Sequence, residues 1–338
     1  MNELRWGILS TADIGRSKVV PAMKRAARTK IVAVGSRDPE RAREYAKELD
    51  IPTVHASYEE LLADKDVDAV YIPLPNHLHV PYAIKAAEAG KHVLCEKPIA
   101  LNAAEARSLV EARDRTGVLI QEAAMIRVHP RWLATRAELA KGSAGKIGEL
   151  RSIVSSFGYH LRQRDNVRYR REMGGGTLLD VGFYPVSISR FCFGTEPVRV
   201  LASLTTDAET GVDILAAAML EFPTGHSIFS CGMQLSPSQQ VALMGNKGRI
   251  SFDVPWSPYT DRPTRLIIDR SEQLEEPMVE AVAFEPCNQY TLLAEGFSQA
   301  VKNGTAAPLP LEDSVKNMAV LDALARSSQT GRWEVPAL

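Results

Sequence analysis

The feature that most constrains this chain is a regular alternation of short apolar runs with helical patterns up to residue 122. Strand-like runs recur at Leu4–Ser10, Lys30–Ser36, Thr53–His55, Asp68–Leu74, Lys91–Glu96 and Val118–Glu122. Helical patterns at Ile14–Arg28, Pro39–Leu49, Tyr58–Ala63, Val80–Ala89 and Ala103–Thr116 separate them. Asp38 before Pro39 reads as an N-cap followed by a first-turn proline, and Ser57/Glu60 and Asn102/Glu105 have capping-box spacing. Gly90 and Gly117 stand where helix C-caps belong, each just before a strand. Continuous apolar strands alternating with helices predict a parallel sheet covered on both faces. In such sheets ligands bind beyond the carboxyl ends of the strands, so function is sought there.

From about residue 124 the pattern changes. A helix over Pro130–Lys141 leads into a strand-like stretch, Gly148–Tyr159, an arginine-rich loop, and a helix over Asp180–Phe193. Strand-like runs follow at Val198–Thr205, Asp213–Phe222, His226–Cys231, Gln240–Gly245, Arg249–Asp253 and Thr264–Asp269. The turn sequences Phe222-Pro-Thr-Gly225 and Gly245-Asn-Lys-Gly248 join some of them as hairpins. Helices over Gln289–Asn303 and Leu311–Thr330 close the chain. The expected fold class is α/β: a doubly wound parallel sheet over 1–123, then an α+β domain with a mostly antiparallel sheet over 124–338. A length of 338 residues is what two domains need.

Composition removes several function classes. Lys and Arg number 40 against 41 Asp and Glu, so the global field of a nucleic-acid binder is missing. The longest apolar run, Ile214–Leu220, is far short of a membrane span, and MNELRWGILS carries no secretory core. Cys95, Cys192, Cys231 and Cys287 are too scattered for a metal motif and too few for a disulfide scaffold. A reduced, cytoplasmic protein with no nucleic-acid or membrane partner is expected.

Four strand ends carry chemistry. Ser10-Thr11-Ala12-Asp13-Ile14-Gly15 follows the first strand where a GxGxxG dinucleotide loop belongs, with Ser10 and Ala12 replacing two glycines. A plain strand-to-helix turn reads the same way. At the end of the second strand, an NAD-selective site carries an acid on the ribose 2′-hydroxyl; here stand Ser36 and Arg37. Arg37 either pairs with Asp38 or Glu40 on the surface or binds a 2′-phosphate, and its position favours NADP over NAD. Lys97, in Glu96-Lys97-Pro98, closes the fifth strand, and Pro75-Asn76-His77 the fourth. A lysine at a strand's carboxyl end faces the ligand crevice and can serve as a proton donor.

The stretches Val93-Leu-Cys-Glu-Lys-Pro98, Pro75-Asn-His-Leu-His79, Gly174-Gly-Gly-Thr-Leu-Leu-Asp-Val-Gly-Phe-Tyr184 and Glu122-Ala-Ala-Met-Ile-Arg-Val-His-Pro130 resemble the glucose–fructose oxidoreductase / inositol dehydrogenase (Gfo/Idh/MocA) family. The resemblance spans nearly the whole chain and is nearest to the branch of dimeric dihydrodiol dehydrogenases and NADP-dependent D-xylose dehydrogenases. It implies an N-terminal Rossmann domain, an open C-terminal sheet, and Lys97, Tyr184 and Asp180 as catalytic residues. Many family members carry histidine at the Tyr184 position. A cofactor site is implied at Ser10 to Gly15, Ser36, Arg37, Leu74, Pro75, Asn76, His77, Glu96, Lys97, Pro98 and Arg127. Tyr159, His160 and Arg168 join Lys97, Asp180 and Tyr184 as candidate substrate contacts, with a packed strand end the equal reading of Tyr159 and His160. The resemblance implies a homodimer or homotetramer through the sheet.

Tyrosine's ordinary pKa of about 10 needs a nearby cation before its hydroxyl can act as a base near neutrality. Residue chemistry alone equally allows Tyr184 as a packed core tyrosine with a satisfied hydroxyl. The five arginines of Arg162–Arg171 read either as a solvated loop or as an anion or sugar-hydroxyl clamp. His77 and His79 alternate as metal ligands do, but with no third ligand at a suitable spacing no metal site is expected. The expected function is NADP-dependent hydride transfer to or from a sugar or cyclic polyol. A non-enzymatic nucleotide sensor is the alternative, and a hydrolase lacks its GxSxG.

Overall fold

The computed structural model describes residues 3–273 and 277–337. By packing, the chain forms two compact units, Met1–Val128 with Asn288–Val315, and His129–Cys287 with Lys316–Leu338. The change of pattern near residue 124 lies just before the first crossing, while nothing in the periodicity marks the crossings at 288 and 316.

In the first unit, β1 (Leu4–Leu9), β2 (Thr29–Gly35), β3 (Thr53–His55), β4 (Ala69–Ile72), β5 (His92–Cys95) and β6 (Ile120–Glu122) form a parallel sheet ordered β3-β2-β1-β4-β5-β6. The order reverses between β1 and β4, which makes that point the expected ligand crevice. The helices are α1 (Val20–Arg25), α2 (Pro39–Glu48), α3 (Tyr58–Ala63), α4 (His79–Glu88) and α5 (Ala103–Thr116). The predicted caps form: Asp38 accepts from the Glu40 and Arg41 amides, Ser57 from Glu60, and Asn102 from Glu105, at 2.9–3.1 Å. The helix expected over Ile14–Arg28 opens instead with a π-helical turn, Gly15–Val19, and stops at Arg25. Its early end has a local cause: the Thr29 hydroxyl bonds the carbonyls of Met23 and Ala26.

The returning helix α8 (Gln289–Asn303) completes this unit. Trp6 of β1, fully buried, packs on Phe297 with ring centroids 5.4 Å apart, and its indole N–H donates to Ser298 at 3.3 Å. The Thr291 hydroxyl donates to the Ala22 carbonyl at 3.0 Å, and the Ala27 amide to Glu295 at 2.7 Å.

The second unit contains α6 (Pro130–Leu139), β7 (Leu150–His160), α7 (Phe183–Phe193), β8 (Arg199–Thr206), β9 (Asp213–Phe222), β10 (Gly225–Gly232), β11 (Gln234–Gly245), β12 (Arg249–Phe252), β13 (Thr264–Asp269) and β14 (Val279–Phe284). The final helix α9 (Leu311–Thr330) changes unit after Val315. The eight strands run in the order β14-β13-β12-β11-β7-β10-β9-β8. All neighbours are antiparallel except β7 and β10, which run parallel. Thus β7 sits between two strands that follow each other in sequence. One face of the sheet buries Ile153, Phe229, Ala218 and Leu243, while Val154 and Ile228 on the other are 44% and 38% exposed.

Candidate active site

At the switch point of the first unit, Ser10 takes φ 125°, a region that favours glycine. Its hydroxyl secures the turn by accepting from the Ala12 amide at 3.0 Å. Gly15 needs to lack a side chain, because a Cβ there would lie 2.6 Å from the Tyr45 hydroxyl of α2. That hydroxyl is buried without a partner, and burial pushes its pKa up. Thr11, Ala12, Asp13 and Ile14 lead into the helix N-terminus. A turn closed by small residues under a helix N-terminus fits a pyrophosphate. At the end of β2, Ser36 is buried and accepts from the Asp38 amide at 3.1 Å. The Asp38 carboxylate caps α2, and the exposed Arg37 donates instead to the hydroxyl of Tyr58 on α3. The Tyr58 ring packs edge-on against Tyr82 at 5.0 Å. Tyr58 escaped the sequence reading; its signal is an aromatic directly after the Ser57 cap.

Beyond β4, Leu74 and Pro75 precede a 3-10 turn, Asn76–Leu78, in which His77 Nδ1 is buried without a partner. His79 opens α4 with Nε2 2.7 Å from the Leu74 carbonyl and Nδ1 2.7 Å from that of Pro98. Burial, with the charge of Lys97 adding to it, pushes its pKa down to about 4. Beyond β5, Glu96 accepts from the buried Tyr71 hydroxyl at 2.7 Å and from the Lys97 amide at 3.3 Å. The Lys97–Pro98 peptide is cis. Glu122, at the end of β6, accepts from the Ile99 amide at 2.8 Å and from Ser314 at 2.9 Å. Burial pushes its carboxyl up to about 7. Arg127 forms an ion pair with Asp313 at 2.9 Å.

The second unit gathers another cluster. Asp180 is buried in a π-helical turn, Leu178–Gly182, a device common at functional sites. It accepts from Tyr159 at 2.5 Å and from Arg168 Nε at 2.7 Å. Its charge holds the Arg168 guanidinium protonated, while burial and then Asp180 push the Tyr159 hydroxyl up. Tyr184, buried at the start of α7, packs on Phe157 at 5.4 Å and on Trp256 at 6.1 Å. The turn before Asp180 needs Gly176, at φ 114°, where a Cβ would collide with Asp213. The arginine loop divides. Arg168 turns to Asp180, whereas Arg164 pairs with Asp207 and Glu209, each at 2.8 Å. His160 lies exposed at the end of β7, opposite Gln234. Tyr159, Arg168 and Asp180 are thus brought together as one hydrogen-bonded group. Trp256, which the sequence reading passed over, packs against Tyr184 and donates to the Ser156 carbonyl at 2.9 Å.

Residues 4–124 match the model of an oxidoreductase family with an NAD-binding Rossmann fold, and residues 140–251 match the GFO/IDH/MocA C-terminal domain. The chain belongs to the GFO/IDH/MocA family. This GFO/IDH/MocA member is 42% identical to an uncharacterized oxidoreductase of Rhizobium meliloti over 99% of both chains. It is 36% identical to D-xylose 1-dehydrogenase (NADP(+)) 2 of Haloferax volcanii, covering 97% of this chain and 98% of that one. A solved 3-ketoreductase from Actinomadura kijaniata, in complex with NADP and TDP-benzene, superposes with a TM-score of 0.89 at 29% identity. That match covers 96% of this chain and 98% of the other. The GFO/IDH/MocA chain is therefore an oxidoreductase of the dehydrogenase and reductase type. Among the described residues no helix is long and apolar enough to cross a membrane.

Proposed function

We propose that this oxidoreductase moves hydride between NADP and a carbinol or carbonyl carbon of a sugar or cyclic polyol. D-Xylose- or D-glucose-type 1-dehydrogenation and trans-dihydrodiol oxidation are its candidate reactions. The observation that carries the choice of NADP is Ser36-Arg37 at the end of β2, where an NAD site carries an acid. Arg37, standing against Tyr58, offers planar donors to a 2′-phosphate. The xylose dehydrogenase is an NADP(+) enzyme by name and the ketoreductase structure holds NADP, which supports the same choice.

In this reading Ser10 to Gly15 hold the pyrophosphate, and Leu74, Pro75, Asn76, His77, Glu96, Pro98 and Arg127 complete the cofactor site. NADP, when bound, supplies or accepts the hydride. Lys97 holds a proton at the substrate oxygen and stabilises negative charge developing there. The Tyr184 hydroxyl passes that proton on, and Asp180 orients substrate hydroxyls with Tyr159 and Arg168 bonded to it, His160 being a further candidate contact at the end of β7. Because Tyr159 and Arg168 both donate to Asp180, the carboxylate's direction is set before substrate arrives. Reduction of NADP⁺ and NAD⁺ against a panel of aldoses, inositols, glycosides and dihydrodiols tests the proposal. Turnover with NADP⁺ well above NAD⁺ is expected; protein that binds neither nucleotide in a fluorescence titration refutes it.

We also propose a homodimer or homotetramer through the open sheet face. Paired positions Leu201, Met219, Ile228, Val154 and Ala242 line up across five adjacent strands on that face. A row of apolar side chains is what a partner surface buries, and solvated sheet faces normally alternate to polar residues.

A further inference from the structure

If Lys97 carries the proton at the substrate oxygen, whatever fixes its backbone sets the reaction geometry. The next peptide along, joining Pro98 to Ile99, is held at both of its polar atoms. Its carbonyl oxygen lies 2.7 Å from His79 Nδ1, and its amide donates to Glu122 Oε1 at 2.8 Å. The two side chains approach from elements on opposite sides of β5, since α4 follows β4 and Glu122 ends β6. Glu122 is anchored in turn by the Ser314 hydroxyl. The neutral His79 ring has a single N–H, which in the Nδ1–H tautomer goes to the Pro98 carbonyl and leaves Nε2 facing the Leu74 carbonyl.

We propose that His79 and Glu122 are positioning residues for Lys97, gripping the Pro98–Ile99 peptide from both sides and so fixing where the lysine side chain begins. This inference rests on the reading of Lys97 given above and deepens it. A buried carboxyl and a buried imidazole both cost stability unless their bonds are made; both oxygens of Glu122 and the single N–H of the neutral His79 find partners in this segment or in its supports. The charged and titratable neighbours of Glu122 are Arg127, Asp313 and Cys95; those of His79 are Lys97 and His77. Ionised, Glu122 accepts from both Ile99 and Ser314. Protonated, it still accepts from Ile99 through one oxygen and turns its O–H to Ser314. The grip survives either state, and Glu122→Gln, with one acceptor and one NH₂ donor, reproduces it.

Protein labelled with ¹³C at lysine Cε tests this directly, with the Lys97 resonance assigned by its loss in Lys97→Met. Glu122→Ala and His79→Gln are expected to shift that resonance, and Glu122→Gln to leave it in place. Kinetics on the substrate found by the panel are expected to follow. Glu122→Ala lowers kcat about tenfold to a hundredfold, the cost of a misplaced group, while KM for NADP stays within about threefold. Glu122→Gln recovers kcat. A Lys97 resonance unmoved in both Glu122→Ala and His79→Gln overturns the inference, as does a Glu122→Gln variant that shifts it as far as Glu122→Ala. Should Glu122→Ala fail to fold, the contrast between His79→Gln and Glu122→Gln decides alone. A resonance that moves while Lys97→Met keeps wild-type turnover leaves the positioning standing and removes the catalytic reading of Lys97.

Discussion

The buried Glu122 predicts an unusual pH dependence of stability. Its carboxyl moves from 4.5 to about 7 on folding, with burial the leading cause and Asp313 adding to it against Arg127. The folded state therefore binds this proton more tightly than the unfolded chain. The stability it contributes is complete below pH 4.5 and is lost as pH rises through 7. The full swing is about 3.5 kcal/mol at roughly 1.4 kcal/mol per pKa unit, of which most falls between pH 5 and pH 9. Glu122→Gln keeps the shape and the bonds to Ile99 and Ser314 but cannot ionise. The stability of the variant relative to wild type should thus improve by about 3 kcal/mol between pH 5 and pH 9. In melting temperature that is a relative gain of about 6–12 °C, at 2–4 °C per kcal/mol for a unit of this size. Thermal unfolding of both proteins at constant ionic strength across that range measures it. A difference between the two that stays constant with pH, or shrinks toward alkaline pH, refutes the argument.

Three further outcomes are expected. Arg37→Ala should weaken NADPH binding about tenfold to a hundredfold, the loss of a charged hydrogen-bond partner, with NADH affinity nearly unchanged by fluorescence titration. Tyr184→Phe should lower kcat about 10²- to 10⁴-fold, the range for a lost proton-transfer group, while NADPH affinity holds. Ile228→Arg places a charge at the centre of the apolar row, and light scattering should show monomers where the parent forms dimers or tetramers.

Most of the first unit was legible because most of its strands are apolar runs and the helices α2, α3 and α5 carry side-chain caps. Asp38, Ser57 and Asn102 each announce a boundary that local hydrogen bonding then makes. The second sheet was less legible. β14 reads VEAVAF, with Val279, Ala281 and Ala283 exposed at the sheet edge; its apolar run Ala281–Phe284 is only four residues long and follows Glu280, too short to mark a strand by itself. β11 begins in the polar stretch Gln234–Gln239, earlier than the expected Gln240. The parallel pairing of β7 with β10 joins Ser152 to His226, a contact no local turn encodes. At the candidate site, the sequence singles out Asp180 by motif, Arg168 in its loop and Tyr159 at a strand end, and the structure hydrogen-bonds the three together. Glu122 and His79 were not, because their work is done on a backbone peptide distant in sequence.

The first unit is also discontinuous along the chain, and that orders events at the ribosome. Trp6, buried against Phe297 and bonded to Ser298, waits for residues made up to 292 positions later. At 5–20 residues per second, the stretch separating Val128 from α8 takes roughly 10–30 s to emerge. Throughout that interval the nascent parallel sheet lacks one of its covering helices. A fragment ending near residue 128 carries the same bare patch permanently, and dissecting out the cofactor-binding half requires splicing 288–315 back onto it.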